Sequence, residues 1–215
     1  MDYRQLADSI PSMGGRQIGH IFDKYIKYLK PDRAIIELGT WLGAGTAQMA
    51  LSVINHNKNS KIYTYDKFIV SGRQPLKAQK EGWRLSQGEN VYSKVCETLS
   101  LFPVPISVIQ GIITDAVYSG EKIGLYVDDA LKQPGRFEKG LEIFSPYFIP
   151  GETIIILMDY YLWEKRGSEH HKHQYNFIHS HSDCFKMIDD RIDSTYIPAE
   201  GKDEGAAFLY LGGLF

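Results

Sequence analysis

Apolar positions along this chain follow two rhythms that alternate from one end to the other. From Arg16 to Leu29, the residues Ile18, Ile21, Phe22, Tyr25, Ile26 and Leu29 fall three and four apart, which gathers them into one stripe on a helix. Pro31 closes that stretch. Ala34 to Leu38 is a short apolar run ending at Gly39, the pattern of a buried strand, and Ala44 to Ile54 is a helix of small and apolar residues suited to lie on a sheet. The alternation continues with a strand at Lys61 to Asp66, a mainly helical stretch at Lys77 to Leu101 with Gly82 and Gly88 as breaks, and strands at Ile106 to Gln110 and Ile123 to Asp128. A helix follows at Phe137 to Phe148, with Leu141, Phe144 and Phe148 on one face, and then the apolar strand Thr153 to Met158. Glu169 to Asp190 reads as a polar helical stretch, and Ser194 to Pro198 with Ala206 to Leu211 as a closing hairpin. Strands alternating with helices predict an α/β, Rossmann-like, seven-stranded and mostly parallel sheet, with helices on both faces and a C-terminal antiparallel strand.

Composition narrows this picture without redirecting it. No repeat or linker divides residues 1–215, so a single domain is expected. A formal net charge of −2 lacks the basic field that a nucleic-acid partner would need. Cys96 and Cys184 are too few and too far apart for a disulfide framework, which suits a reducing compartment. The first residues, Met1 to Pro11, are polar and no apolar run reaches membrane-spanning length, so the expectation is a cytoplasmic protein with no membrane partner. A homo-oligomer is left open.

In a parallel sheet of this kind, ligands bind at the carboxyl ends of the strands, near the reversal in strand order. The tips to inspect are Glu37 to Thr46, Asp66, Gly111, Asp128 with Asp129, and Asp159 with Tyr160. At the first tip, Gly39 and Gly43 permit a tight strand-to-helix turn and close backbone approach to a ligand. No Lys-Ser/Thr pair follows, which excludes a phosphate-binding P-loop, and the spacing is not that of the dinucleotide fingerprint. Glu37, two residues before the first glycine, suits a cationic or hydroxyl-bearing cofactor. Asp66, ending the next strand, is placed to accept ribose hydroxyls.

The run Ile35-Ile36-Glu37-Leu38-Gly39-Thr40-Trp41-Leu42-Gly43-Ala44-Gly45-Thr46 resembles motif I of class I S-adenosylmethionine-dependent methyltransferases. It is most similar to the catechol and macrocin O-methyltransferase-like groups. The resemblance runs on through Tyr65-Asp66, Gln110-Gly111, Leu125 to Asp129, the Pro150-Gly151 turn and Ile155 to Tyr160. It implies an S-adenosylmethionine site built from Met13, Glu37, Gly39, Thr40, Gly43, Thr46, Asp66, Gly111 and Asp128, with Ser12-Met13-Gly14 closing over the methionine end. It also implies a methyltransferase, O-directed, acting on a small or sugar-like acceptor. A non-catalytic S-adenosylmethionine-binding protein and another Rossmann-like nucleotide enzyme are the alternatives.

Methyl transfer to a hydroxyl needs a base or a metal to make the oxygen nucleophilic. Asp128, Asp129 and Asp159 are the catalytic candidates. The resemblance implies a Mg²⁺ site at the fourth and fifth strand ends, for which Asp128 and Asp159 would be the ligands. The pattern calls for two adjacent acids at the fifth tip, however, and Met158 stands beside Asp159, so a divalent metal is not favoured. His170, His171, His173, His179 and His181 cluster in a polar stretch that reads as a solvated helix or loop, from which one imidazole could supply a base. Trp41, Trp83, Tyr160, Tyr161 and Trp163 are candidates to wall an acceptor pocket, against the simpler role of packing.

Overall fold

The computed structural model describes residues 1–13, 18–167, 169–192 and 204–215. Its centre is a seven-stranded sheet in the order β3-β2-β1-β4-β5-β7-β6. The strands are β1 (Ala34–Leu38), β2 (Ile62–Asp66), β3 (Ile106–Gln110), β4 (Ile123–Asp128), β5 (Ile154–Leu157), β6 (Phe185–Ile192) and β7 (Gly205–Tyr210). β1 to β5 pair in parallel, and β7 inserts antiparallel between β5 and β6. The sheet is Rossmann-like. Its chain builds outward from β1 to β3 and then returns to lay β4 against the other side of β1. The crossovers at this reversal leave on opposite faces, which opens a crevice at the carboxyl ends of β1 and β4.

Alternation along the central strands sorts the core into two layers. Ile35, Leu125, Val127 and Ile156 face one side, where they meet Phe22 and Ile26 of α2 (Ile18–Ile26), Ala47 and Ala50 of α3 (Ala44–Asn55), and Val95 and Leu99 of α5 (Tyr92–Leu99). Ile36, Leu38, Tyr126, Ile155 and Leu157 face the other, against Phe137, Leu141 and Phe144 of α6 (Arg136–Phe144) and Phe177 of α8 (His173–Ser180). A register irregularity where Ala34 pairs Ile123 and Ile35 pairs Leu125 leaves Gly124 as the bulged residue.

Most predicted elements form, and the departures have physical causes. A first helix, α1 (Tyr3–Ser9), was not legible as such; Asp2 caps it by accepting from the Arg4 and Gln5 amides. The Lys77 to Leu101 stretch is two helices, α4 (Gln74–Lys80) and α5, and Gly82 and Gly88 both take positive φ in the break between them. The predicted helix to Phe148 stops at Phe144 because Pro146 turns the chain into a short 3₁₀ segment, Ser145–Tyr147.

The reading of Glu169 to Asp190 as helical is corrected. After the short helix α7 (Leu162–Arg166), only α8 is α-helical in that stretch, and from Phe185 the chain is β6. That strand lies at the sheet edge, buries only Phe185 and Ile192 fully, and shifts register twice, so no alternation marks it. The expected antiparallel closing pair at the sheet edge does form, with β6 as its first strand and β7 pairing both β6 and β5. The predicted strand at Ser194 to Pro198 and the first two residues of the predicted helix at Arg16 lie outside the described residues. Among the described residues no helix is long and apolar enough to cross a membrane.

The second core layer generates a stability prediction. Phe144 is fully buried and makes ring contacts with Tyr65, Tyr118 and Tyr126, so Phe144→Ala should cost about 3–5 kcal/mol in denaturant unfolding. Tyr126 is equally buried, but its hydroxyl has no hydrogen-bond partner among the described residues. Tyr126→Phe should therefore be neutral or stabilising, by up to about 2 kcal/mol. A loss above roughly 1 kcal/mol would show that the hydroxyl is paired.

Candidate active site at the strand tips

The site begins with a carboxylate that the strand pattern forces inward. Glu37 occupies β1 in register with Thr64 of β2 and Val127 of β4, and only 4% of it reaches solvent. Its Oε2 accepts from the Thr64 hydroxyl at 2.5 Å and from the Thr46 hydroxyl, and the Thr40 hydroxyl meets that of Thr64. Burial pushes the Glu37 carboxyl up from its ordinary 4.5 to about 7, although the Thr46 and Thr64 donors pull the other way. Two glycines make room for this arrangement. A Cβ on Gly45 would collide with Glu37 Oε1. Gly39 has φ +98°, and a Cβ there would also sit 3.2 Å from the Asp129 carbonyl oxygen.

Asp66 joins the first tip to the second. Its Oδ2 accepts from the Trp41 amide and its Oδ1 from the Phe68 amide, both at 2.8 Å. It thereby holds Trp41 at φ +48° in the turn after β1. The Gly111 amide donates to the Asp66 carbonyl at 2.9 Å, which places the third tip beside the second.

The fourth and fifth tips carry the three aspartates, and they do different work. Asp128 is 1% exposed, and its Oδ1 accepts from the Ala130 and Leu131 amides at 2.9 and 2.8 Å. Burial raises its carboxyl to about 6 against those two donors. It caps its own turn and is not among the residues that line the cavity described below. Asp129 and Asp159 instead clamp one residue that sequence reasoning missed. Lys132 Nζ lies 3.2 Å from Asp129 Oδ1 and forms an ion pair with Asp159 Oδ2. Burial disfavours the ammonium, but the two carboxylates outweigh it and raise the lysine above its ordinary value.

These tips enclose a small, open-mouthed cavity. Glu37, Gly39 and Thr40 line it from β1 and its turn, Ala44 and Gly45 from the start of α3, Ile18 and Phe22 from α2, and Val127, Asp129 and Met158 from the fourth and fifth tips. Trp41 lines it too, and its buried indole N–H has no hydrogen-bond partner among the described residues. Ser12 and Met13 complete the wall. They are tied across to the α4 region, where Lys77 donates to the Met13 carbonyl at 2.8 Å and the Ser12 amide faces the Glu81 carboxylate at 3.4 Å.

Of the residues expected in the site, Met13, Glu37, Gly39, Thr40 and Asp129 line this cavity. Thr46 acts behind it through Glu37, Gly43 shapes the turn at φ +90°, and Asp66 and Gly111 stand at the neighbouring tips. Gly14 lies outside the described residues. Thr64 was missed, although its register opposite Glu37 is the signal that could have found it. Lys132 follows Asp129 by three residues, but nothing local marks it as the partner of Asp159. Three of the clustered histidines are engaged elsewhere: His173 Nε2 lies 2.7 Å from Glu138, while His179 and His181 pack on Tyr175 and Phe177. No group of three or more potential metal-ligating side chains gathers among the described residues. Tyr160 and Tyr161 pack in the core rather than against the cavity.

No family model matches this chain, and no curated protein matches it in sequence. Solved structures do match its fold. The O-methyltransferase NovP is similar over 91% of this chain and 80% of its own, with a TM-score of 0.61 at 12% identity. The N-methyltransferase NodS from Bradyrhizobium japonicum WM9 is similar over 92% and 96%, with a TM-score of 0.58 at 13% identity. The methyltransferase MycE of the mycinamycin biosynthetic pathway, solved with Mg, SAH and mycinamycin VI, is similar over 91% of this chain and 50% of its own, with a TM-score of 0.53 at 14% identity. What this chain shares with them is the fold.

The buried Glu37 predicts a pH signature. Its folded-state carboxyl titrates near 7 and its unfolded-state carboxyl near 4.5, so the folded chain holds the extra proton between these values. Its contribution to stability therefore falls as pH rises from about 4.5 to 7, by on the order of 3 kcal/mol, and is level above that. Glu37→Gln should flatten this segment of the stability–pH curve in denaturant titrations. An unchanged slope in a folded Glu37→Gln protein would show that the carboxyl ionises freely.

Proposed function

We propose that this chain is an S-adenosylmethionine-dependent methyltransferase, with residues 1–215 acting as one cytoplasmic domain and a small polar molecule as acceptor. The observation that carries the reading is the buried Glu37 carboxylate in a cavity at the strand-order reversal, with no cationic side chain bonded to it among the described residues. A cationic amino group brought into that cavity would favour the ionised form that burial opposes. The unpartnered Trp41 N–H offers a buried donor on the same wall. Both features fit an amino-acid-bearing cofactor, and the similar solved structures of O- and N-methyltransferases support the same reading.

The residues that would hold the cofactor are Met13, Glu37, Gly39, Thr40 and Trp41 at the cavity, with Asp66 and Gly111 at the adjoining tips. When bound, S-adenosylmethionine supplies an electrophilic methyl group on a sulfonium centre. The chain itself must orient the acceptor, keep water out and take up one proton. Asp129 both lines the cavity and is partly open to it, so it is the carboxylate placed to receive the proton of an acceptor hydroxyl. O-methylation is preferred on this ground, because a carboxylate base serves a hydroxyl that must lose its proton as the new bond forms.

Mg²⁺ does not fit the residues present. Asp128 is committed to its turn, Asp129 and Asp159 already face an ammonium, and the Met158 thioether is a poor ligand for a hard cation.

S-adenosylhomocysteine should raise the melting temperature of the purified chain, since a ligand that binds only the native state stabilises it by mass action. Absence of a shift or of calorimetric heat at millimolar ligand would remove the cofactor assignment. Asp66→Ala should weaken that binding by about 1.5–3 kcal/mol while the fold survives. Unchanged affinity would mean that Asp66 serves only to hold Trp41 and Phe68.

A further inference from the structure

The Asp129–Lys132–Asp159 cluster is assembled from separate parts of the chain. Asp129 follows the end of β4, Asp159 follows β5, and Lys132 lies in the loop that leads from β4 to α6. Two carboxylates on adjacent strand tips are a common way to gather a hard divalent ion, which needs only one or two such ligands and fills the rest of its shell with water. Here an ammonium stands between them, 3.2 Å from Asp129 Oδ1 and ion-paired to Asp159 Oδ2. The carboxylates take two of its three N–H donors. The third nearby acid is withdrawn, because Asp128 is buried with its Oδ1 on the Ala130 and Leu131 amides. Asp129 is also a wall of the cavity, so the cluster borders it.

We propose that Lys132 is the resident cation of the acceptor site: its ammonium holds Asp129 and Asp159 apart and in place, fills the position where the pair would otherwise collect a divalent ion, and keeps the site free of metal. A divalent ion would have to displace a covalently tethered charge from both carboxylates. The positive charge available to a polar acceptor beside Asp129 is then that of Lys132, a single charge with a hydrogen-bond donor to spare. Its role in the reaction rests on the methyltransferase reading, whereas the exclusion of metal can be measured without it.

The experiment follows the electron paramagnetic resonance signal of free Mn²⁺ titrated with the full-length chain, alongside calorimetric binding of S-adenosylhomocysteine to the same samples. The wild-type chain should leave the Mn²⁺ signal unchanged, and EDTA should not alter its S-adenosylhomocysteine affinity. Lys132→Ala and Lys132→Gln should bind Mn²⁺ at least about tenfold more tightly than wild type. Adding Asp159→Asn should abolish the gain, and Lys132→Arg, which keeps the charge, should not show it. Uptake of Mn²⁺ by wild type to the same level as by Lys132→Ala, or no gain in either neutral variant while each still shows a native unfolding transition, would overturn the proposal. A wild-type chain that excludes Mn²⁺ but fails to bind S-adenosylhomocysteine would instead refute the cofactor reading and leave the resident cation standing.

Discussion

The structure turns on burying one carboxylate in the middle of a sheet. A charged group in the protein interior is costly unless it is paired, protonated or hydrogen-bonded. Glu37 is held by the second and third of these, with a carboxyl titrating near 7 and donors from Thr46 and Thr64. That solution constrains its neighbours. β2 must present Thr64 in register, α3 must begin with a residue lacking a Cβ at Gly45, and the turn between β1 and α3 must bend through Gly39 to clear the fourth tip. The same neighbours form the cavity wall, so the residues that accommodate the buried carboxylate also shape the cavity.

Four aspartates at the strand tips show how environment assigns different tasks to one side chain. Asp66 orders the turn that follows β1, and Asp128 caps the turn that follows β4; each has backbone amides within reach and uses them. Asp129 and Asp159 instead share the Lys132 ammonium. A pair of carboxylates this near to each other would repel, and a cation between them relieves that repulsion. Whether such a cation is a metal or a lysine follows from what the intervening loop can deliver.

Much of this architecture was readable from residues alone. The five parallel strands, the helices against them and the glycine-rich first turn all follow from short-range periodicity and from residues with special backbone freedom. Glu37 and Asp66 stood out because polar groups at the ends of apolar runs are conspicuous. The edge strand β6 escaped notice since most of its residues face solvent and its register shifts erase the alternation. Asp128 and Asp129 are adjacent in sequence, and the pattern there favoured Asp128 for the cofactor; in the structure Asp128 is sealed in a turn and Asp129 lines the cavity.

The sequence by itself determined the order of the elements, the parallel core and the end of the sheet at which the cavity lies, because each depends on local pattern and on the handed crossover rules of parallel sheets. It also singled out the carboxylate at the first tip. Only the tertiary structure decided which aspartate reaches the cavity, that Thr64 completes the Glu37 network, and that Lys132 stands between Asp129 and Asp159. Those facts depend on which side chains meet across different strands and loops. Such meetings arise from sheet register and loop path, which leave no periodic trace along the chain.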